Sequence, residues 1–186
     1  MRNWKRITSQ LIIDTKHFKI RKDILELPNK EIKEWIYWES GDSAMVVGMT
    51  KDKKLVMIRQ YRYLVGDTVL EFPSGSINNN EKPEDGARRE LTEETGYICG
   101  RLYSLGSFYE TYGQLNRKIH LYFSSDLTKT KQHLDRGTRG FEEIKIELVS
   151  YDKAIDLAVN NKIVALGSSL AVLLLKAKID NKEISL

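Results

Sequence analysis

Glu81, Arg89, Glu90, Glu93 and Glu94 fall within one stretch, Gly75 to Tyr97, that reads GSINNNEKPEDGARRELTEETGY. Carboxylates gathered beside a bend are what a hard divalent cation needs. Mg²⁺ takes oxygen ligands, a few carboxylates with waters and substrate phosphate completing an octahedron, and Mn²⁺ can substitute for it. The chain carries no nucleophilic serine or cysteine signature, so metal held by glutamates points to metal-assisted hydrolysis. In such a reaction the ion neutralises phosphate oxygens and lowers the pKa of a bound water. There are more carboxylates than one Mg²⁺ can use, which allows two or three ions. Set against this, acidic clusters on charge-rich helices are commonly plain solvated faces, and an isolated Glu-Glu pair would be read that way.

A helix must hold these groups. Pro83 suits its first position, where the missing N–H is not needed. Glu84 and Asp85 then occupy the first turn, where the helix dipole favours acids, and Gly96 is placed for a left-handed C-cap. The spacing therefore predicts a helix from Pro83 to about Thr95, entered through a polar loop, Ser76 to Lys82. On it Glu90 and Glu94 share a face, as do Arg89 and Glu93, and Glu90 neighbours Glu93. Arg89 with Glu93 attracts. Glu90 with Glu94 repels, at a cost of roughly a few tenths of a kcal/mol unless a positive charge lies between them.

Ahead of this helix, Ala44–Met49 and Leu55–Arg62 read as strands joined by a turn at Lys51–Lys54. Val69–Phe72 is a short strand delivering the chain to Pro73-Ser74-Gly75. Behind it, Leu102–Tyr109, Lys118–Phe123 and Glu143–Leu148 are strands, the last two alternating, with the polar, basic run Leu127–Gly140 as a loop. Ser150 is placed to cap a helix over Tyr151–Asn160. Ser168 or Ser169 opens a final helix, Leu170 to about Lys178, apolar nearly all round and so expected to be buried. Residues 1–40 hold β-prone pieces over Thr8–Ile13, Phe18–Leu25 and Glu34–Trp38, with a turn at Leu27–Lys30. The whole predicts an α/β fold, an α/β/α sandwich on a mixed sheet. Residues 1–40 form an N-terminal β segment of the same domain and residues 41–186 its main part.

Gly75, five residues, Glu81, seven residues, then Arg89-Glu90-Leu91-Thr92-Glu93-Glu94-Thr95-Gly96 resembles the signature of the Nudix hydrolases. Tyr97 stands where that family usually has an aliphatic residue. Ile58-Arg59-Gln60-Tyr61-Arg62-Tyr63, Leu70-Glu71-Phe72-Pro73-Ser74-Gly75 and Phe141-Glu142-Glu143-Ile144-Lys145-Ile146-Glu147 are similar to the ADP-ribose and nucleoside-diphosphate-sugar pyrophosphatase branch, over roughly residues 40–180. The resemblance implies Mg²⁺-dependent hydrolysis of a nucleoside diphosphate linked to another moiety. Carried over, Glu90 and Glu94 would be the main metal ligands with Glu93 assisting, and Glu81 a supporting ligand. The backbone carbonyl of Ser74 would join them, brought close by a bend at Gly75. Arg89 would orient the glutamates. Arg62 or Arg59 would contact the pyrophosphate, and Glu142 or Glu143 would act as general base or complete the metal site, with Glu110 in reserve. The branch is often dimeric through its N-terminal strands, so a homodimer is expected. Trp35 and Trp38 are then candidates for an interface or a base-stacking wall, against ordinary sheet packing. Tyr112 stands where ADP-ribose hydrolases usually carry a proline. It can stack on a base or sugar, and it leaves other nucleotide sugars and dinucleoside polyphosphates open.

Composition sets the remaining bounds. Hydrophobic residues at 41% and charged residues at 30% make a soluble globular balance. The net charge of +4 suits an anionic substrate without calling for nucleic acid. The one cysteine, Cys99, forbids an intramolecular disulfide and reads as a small core residue. With no apolar signal core in MRNWKRITSQ, the chain reads as cytoplasmic. Ile163–Ile179 is broken by Gly167-Ser168-Ser169 and Lys176, short of the roughly 18–20 apolar residues of a membrane span. His17, His120 and His133 are too dispersed for a zinc site. Lys129–Arg139 lacks the aromatic interleaving of an RNA-binding patch. Two rival functions stand beside the pyrophosphatase: a dinucleoside polyphosphate or RNA-cap hydrolase, and a catalytically silent nucleotide sensor. The intact acidic box disfavours the sensor.

Overall fold

The computed structural model describes residues 3–16, 18–132 and 143–186. The chain divides into two units, Met1–Asp42 with Tyr109–Lys118, and Ser43–Phe108 with Ile119–Leu186. The first holds an antiparallel sheet of β1 (Lys5–Asp14), β2 (Lys19–Glu26) and β3 (Ile32–Trp38), in that order. Residues 109–118 add to it: the Trp38 N–H donates to the Gln114 carbonyl at 2.8 Å, and the Ser40 N–H to Asn116 Oδ1 at 2.9 Å.

The second unit contains β4 (Ser43–Met49), β5 (Lys54–Arg62), β6 (Asp67–Glu71), β7 (Ser74–Ser76), α1 (Pro83–Thr95), β8 (Tyr97–Cys99), β9 (Tyr103–Tyr109), β10 (Lys118–Ser124), β11 (Leu127–Lys129), β12 (Ile144–Ser150), α2 (Tyr151–Val159) and α3 (Leu166–Asp180). Its main sheet runs β12-β5-β4-β10-β9, with β6 on β5 and β7 on β4. β4 and β10 are parallel, whereas β5 is antiparallel to β4, β6 and β12, so the sheet is mixed.

Strand alternation sorts the core into two layers. Met45, Val47 and Met49 of β4 pack with Ala154 and Ala158 of α2 and Ala171, Val172 and Leu175 of α3. Ala44 and Val46, the residues between, pack with Ala87 and Leu91 of α1. Helix α1 therefore covers one face and α2 with α3 the other, the expected α/β/α sandwich.

Three local expectations change. Leu127–Lys129, expected as loop, is a strand paired antiparallel with Tyr97–Cys99, where no element was expected. Helix α3 starts at Leu166, not beyond Ser168, because Ser168 is not a cap: its hydroxyl is buried and accepts the Phe72 N–H at 2.9 Å. That helix is also one-sided, burying Ser168, Ala171, Val172 and Leu175 while Leu166 and Leu173 face solvent. Ser150 does sit at the N-cap of α2, yet its side chain makes no capping bond. No helix among the described residues is long and apolar enough to cross a membrane.

Candidate active site

Helix α1 begins and ends where its sequence markers fall. Pro83 fills its first turn with Glu84 and Asp85, and Gly96 closes it at φ 65°, its N–H donating to the Thr92 carbonyl at 2.9 Å. The entering loop is pinned by the Asn78 N–H, which donates to Glu81 Oε2 at 2.8 Å.

Beside the helix runs β7, antiparallel to β4. The Ser74 N–H donates to Glu94 Oε2 at 3.0 Å, tying strand to helix at the acidic face. A Cβ on Gly75 would overlap the Glu90 carboxylate. Gly75 is not among the glycines of positive φ, so its role is space for Glu90, not a special bend. Tyr97 is buried with Ala87, Leu91 and Val56, so this irregular position is a packing variation.

Arg89 uses all five of its N–H donors. Nε and Nη2 bind the two oxygens of Glu81 at 2.9 and 3.0 Å. Nη1 reaches Glu90 Oε1 at 2.7 Å and Glu93 Oε2 at 3.3 Å, and Nη2 also donates to the Ser76 carbonyl at 2.8 Å. The hydrogen bond from Arg89 is the main cause holding the Glu81 carboxyl below its ordinary range. Glu90 and Glu94 are 3% and 8% exposed. Among the described residues no three carboxylates already converge as a metal cage. The donor set still fits a hard cation: two buried carboxylates on one helix face, Glu93 beside them, and the Ser74–Gly75 main chain against them.

The other expected site residues separate by strand face. The regular register of β5 puts Val56, Ile58, Gln60 and Arg62 toward α1, and Leu55, Met57 and Arg59 toward α2 and α3. Arg59 accordingly pairs with Glu147 on the face away from the box. Arg62 pairs with Glu71, its Nε and Nη2 both on Oε1 at 2.7 and 2.6 Å. Glu71 is 7% exposed, and burial pushes its carboxyl up despite that arginine. Sequence reasoning gave Glu71 no role; its signal was a lone acid inside the apolar run Val69-Leu70-Glu71-Phe72. Glu143 is exposed just before β12, while Glu142, His17 and His133 lie outside the described residues.

In the first unit, Trp35 and Trp38 lie three apart on β3 and so face opposite sides. Trp35 packs edge-on to Trp4 with Lys33 over both rings, whereas Trp38 meets Phe18. They cannot form one wall within a single chain. Trp38, Tyr37, Ile36, Ile20, Thr111 and Leu115 instead line a pocket of about 420 Å³. Tyr112 is 85% exposed and not in that lining. Glu110 forms an ion pair with Arg117 at 3.2 Å.

Cys99 is buried, and burial raises its thiol, which fits a core residue and not a nucleophile. His120 is a strand residue, its Nδ1 2.8 Å from Ser107 Oγ. One contact had no sequence signal: Gln132 Nε2 donates to the Glu94 carbonyl at 2.6 Å, where residues 130–132 cross the end of α1.

Comparison with known proteins agrees with this geometry. The NUDIX domain family model matches residues 39–166. The chain is 26% identical to an ADP-ribose pyrophosphatase of Bacillus subtilis (strain 168) over 176 residues, covering 94% of this chain and 93% of that protein. It is 30% identical over 168 residues to a methanol dehydrogenase activator of Bacillus methanolicus, covering 90% of each. A solved structure of an ADP compounds hydrolase superposes with a TM-score of 0.84 at 18% identity, covering 98% of this chain and 97% of the other.

Proposed function

The chain belongs to the Nudix hydrolase family, and from that premise we propose that it is a Mg²⁺-dependent pyrophosphatase. Its substrate would be ADP-ribose-like or another nucleotide sugar, split into a nucleoside monophosphate and a sugar phosphate. The observation that carries this reading is the buried Glu90–Glu94 pair, held by Arg89 on one side and the Ser74 N–H on the other. The similarity to a protein named ADP-ribose pyrophosphatase supports the substrate class.

Glu90, Glu94, Glu93 and the Ser74 carbonyl would hold the metal, with Mn²⁺ able to replace Mg²⁺. When bound, the ion supplies charge neutralisation at the phosphate oxygens and a more acidic water. The protein groups position and screen. Arg89 fixes the rotamers of Glu90 and Glu93, and Glu81, both oxygens engaged, acts through Arg89. Of the two strand arginines, Arg62 faces the box side of the sheet and is assigned to the substrate. Water adds to one phosphorus, the bridging P–O bond breaks, and each half leaves as a monophosphate. Glu143, or Glu142 beside it, is the proposed proton acceptor; Glu110 is engaged by Arg117.

Within the first unit, the aromatic pocket at Trp38 is proposed as a stacking surface for a planar ring. A homodimer through the first unit is supported by its exposed Trp4, Ile7, Ile12, Ile13, Ile32 and Ile36. A lone, buried cysteine is compatible with a reducing, cytoplasmic setting.

The test is a panel of nucleoside diphosphate derivatives with Mg²⁺, scored by products, for the wild type and Glu94→Gln. AMP and sugar phosphate should appear with the wild type, and the variant should lose at least about 100-fold in kcat with its melting temperature kept. Unchanged turnover in the variant rejects the assignment. Nucleotide binding without phosphate release favours a silent sensor.

A further inference from the structure

We infer that the pocket between the β5–β6 turn and the entry to α3 seats the sugar of the substrate, with Glu71 as the residue that reads its hydroxyls. This rests on the pyrophosphatase reading above. The pocket measures about 380 Å³ and is walled by Tyr63, Val65, Val69 and Val164 around Arg62 and Glu71, a size in the range of small-ligand sites.

Its polar floor is unusual in how the ion pair is spent. Arg62 Nε and Nη2 both fall on Glu71 Oε1, at 2.7 and 2.6 Å. That leaves Glu71 Oε2 as an acceptor and Arg62 Nη1 as a donor with no hydrogen-bond partner among the described residues. Glu71 is 7% exposed, and its Oε2 is not among the fully enclosed unpaired atoms, so it opens to the pocket, where a ligand hydroxyl can meet it. An adjacent acceptor and donor match two neighbouring hydroxyls, one donating to Oε2 and the other accepting from Nη1. The apolar walls suit the C–H face of a sugar ring.

Position agrees with this. Glu71 pairs with Ile58 across β5–β6, on the face turned toward α1. It precedes Ser74 by three residues, about 10 Å of extended chain, and Ser74 is bonded to Glu94. A group joined to a diphosphate at the acidic face is within reach of the pocket.

The experiment compares ADP-ribose with the methyl ester of ADP, both of which release AMP, on the wild type, Glu71→Ala and Glu71→Gln. The wild type should prefer ADP-ribose. In both variants that preference in kcat/KM should fall about tenfold or more, chiefly through KM. Equal loss on both substrates, or no loss, overturns the proposal. Glu71→Gln keeps the side-chain volume and guards against misfolding of the alanine variant. A second arm titrates ribose 5-phosphate and follows methyl signals of Val65, Val69 and Val164 by NMR. They should shift in the wild type and not in Glu71→Ala, and immobile signals in the wild type overturn the assignment. If the wild type cleaves neither substrate, the pyrophosphatase reading fails by itself and the titration still decides the pocket.

Discussion

Arg89 meets three carboxylates and a main-chain oxygen with one planar fork. A lysine has three donors on a point charge and cannot span that geometry. Arg89→Lys should therefore lower kcat by about 10- to 100-fold and cost about 2 kcal/mol or more of stability, since each charged hydrogen bond carries about 1.5–3 kcal/mol; kinetics and thermal melts measure the two. Glu81 and Glu71 titrate with opposite sign. The depressed Glu81 contributes stability that is fully present above the ordinary carboxyl value of 4.5 and is lost as pH falls through its lower folded value. The raised Glu71 does the reverse: its burial penalty is fully present above its folded value and is relieved as pH falls toward 4.5. In melts from pH 7 downward, wild type should gain stability relative to Glu71→Gln over that window. A flat difference would deny the buried charge. Arg89 and the glutamates were legible because helical spacing alone makes them neighbours. Glu71 and Gln132 were not, because their partners are set by strand register and by a crossing of distant segments.

Among the elements, α1 was readable to the residue. Proline at its first turn and glycine at its end each act through their own φ, with no help from the rest of the chain. β8 and β11 escaped notice because each has three residues and exists only through the other, Leu127 opposite Cys99. The start of α3 was misplaced for a related reason: Ser168 looks like a cap but spends its hydroxyl on β6–β7 through Phe72. The strand–helix joint at Gly75 yields a sharp expectation. Gly75→Ala must push Glu90 off its place while leaving sheet pairing and the Gly96 cap untouched. Activity should drop by at least about tenfold, as a misplacement of catalytic groups by about 1 Å does, with far-ultraviolet circular dichroism unchanged. Full activity in this variant would mean that Glu90 is not positioned by β7.

For the molecule as a whole, the sandwich followed from alternation along the strands, but the division into units did not. In the sequence, residues 109–118 read as a loop carrying the candidates Glu110 and Tyr112, whereas they belong with the first 42 residues. The exposed apolar side chains of that unit lead to a prediction at this scale. Light scattering should find the wild type dimeric at micromolar concentration, and Ile7→Lys, which sets a charge among them, should shift it toward monomer. A monomeric wild type rejects the homodimer.

The split first unit also bears on how the chain is made. Strands β1 to β3 leave the ribosome first, yet Ser40 waits for Asn116, 76 residues later. At about 5–20 residues per second, that is roughly 4–15 seconds of synthesis. Throughout it a three-stranded sheet studded with isoleucine and tryptophan stands without its closing segment. Shortened nascent chains ending before residue 109 should therefore be the aggregation-prone ones, and holdase chaperones should act there. An early segment of the chain thus cannot finish folding until translation is well past the box.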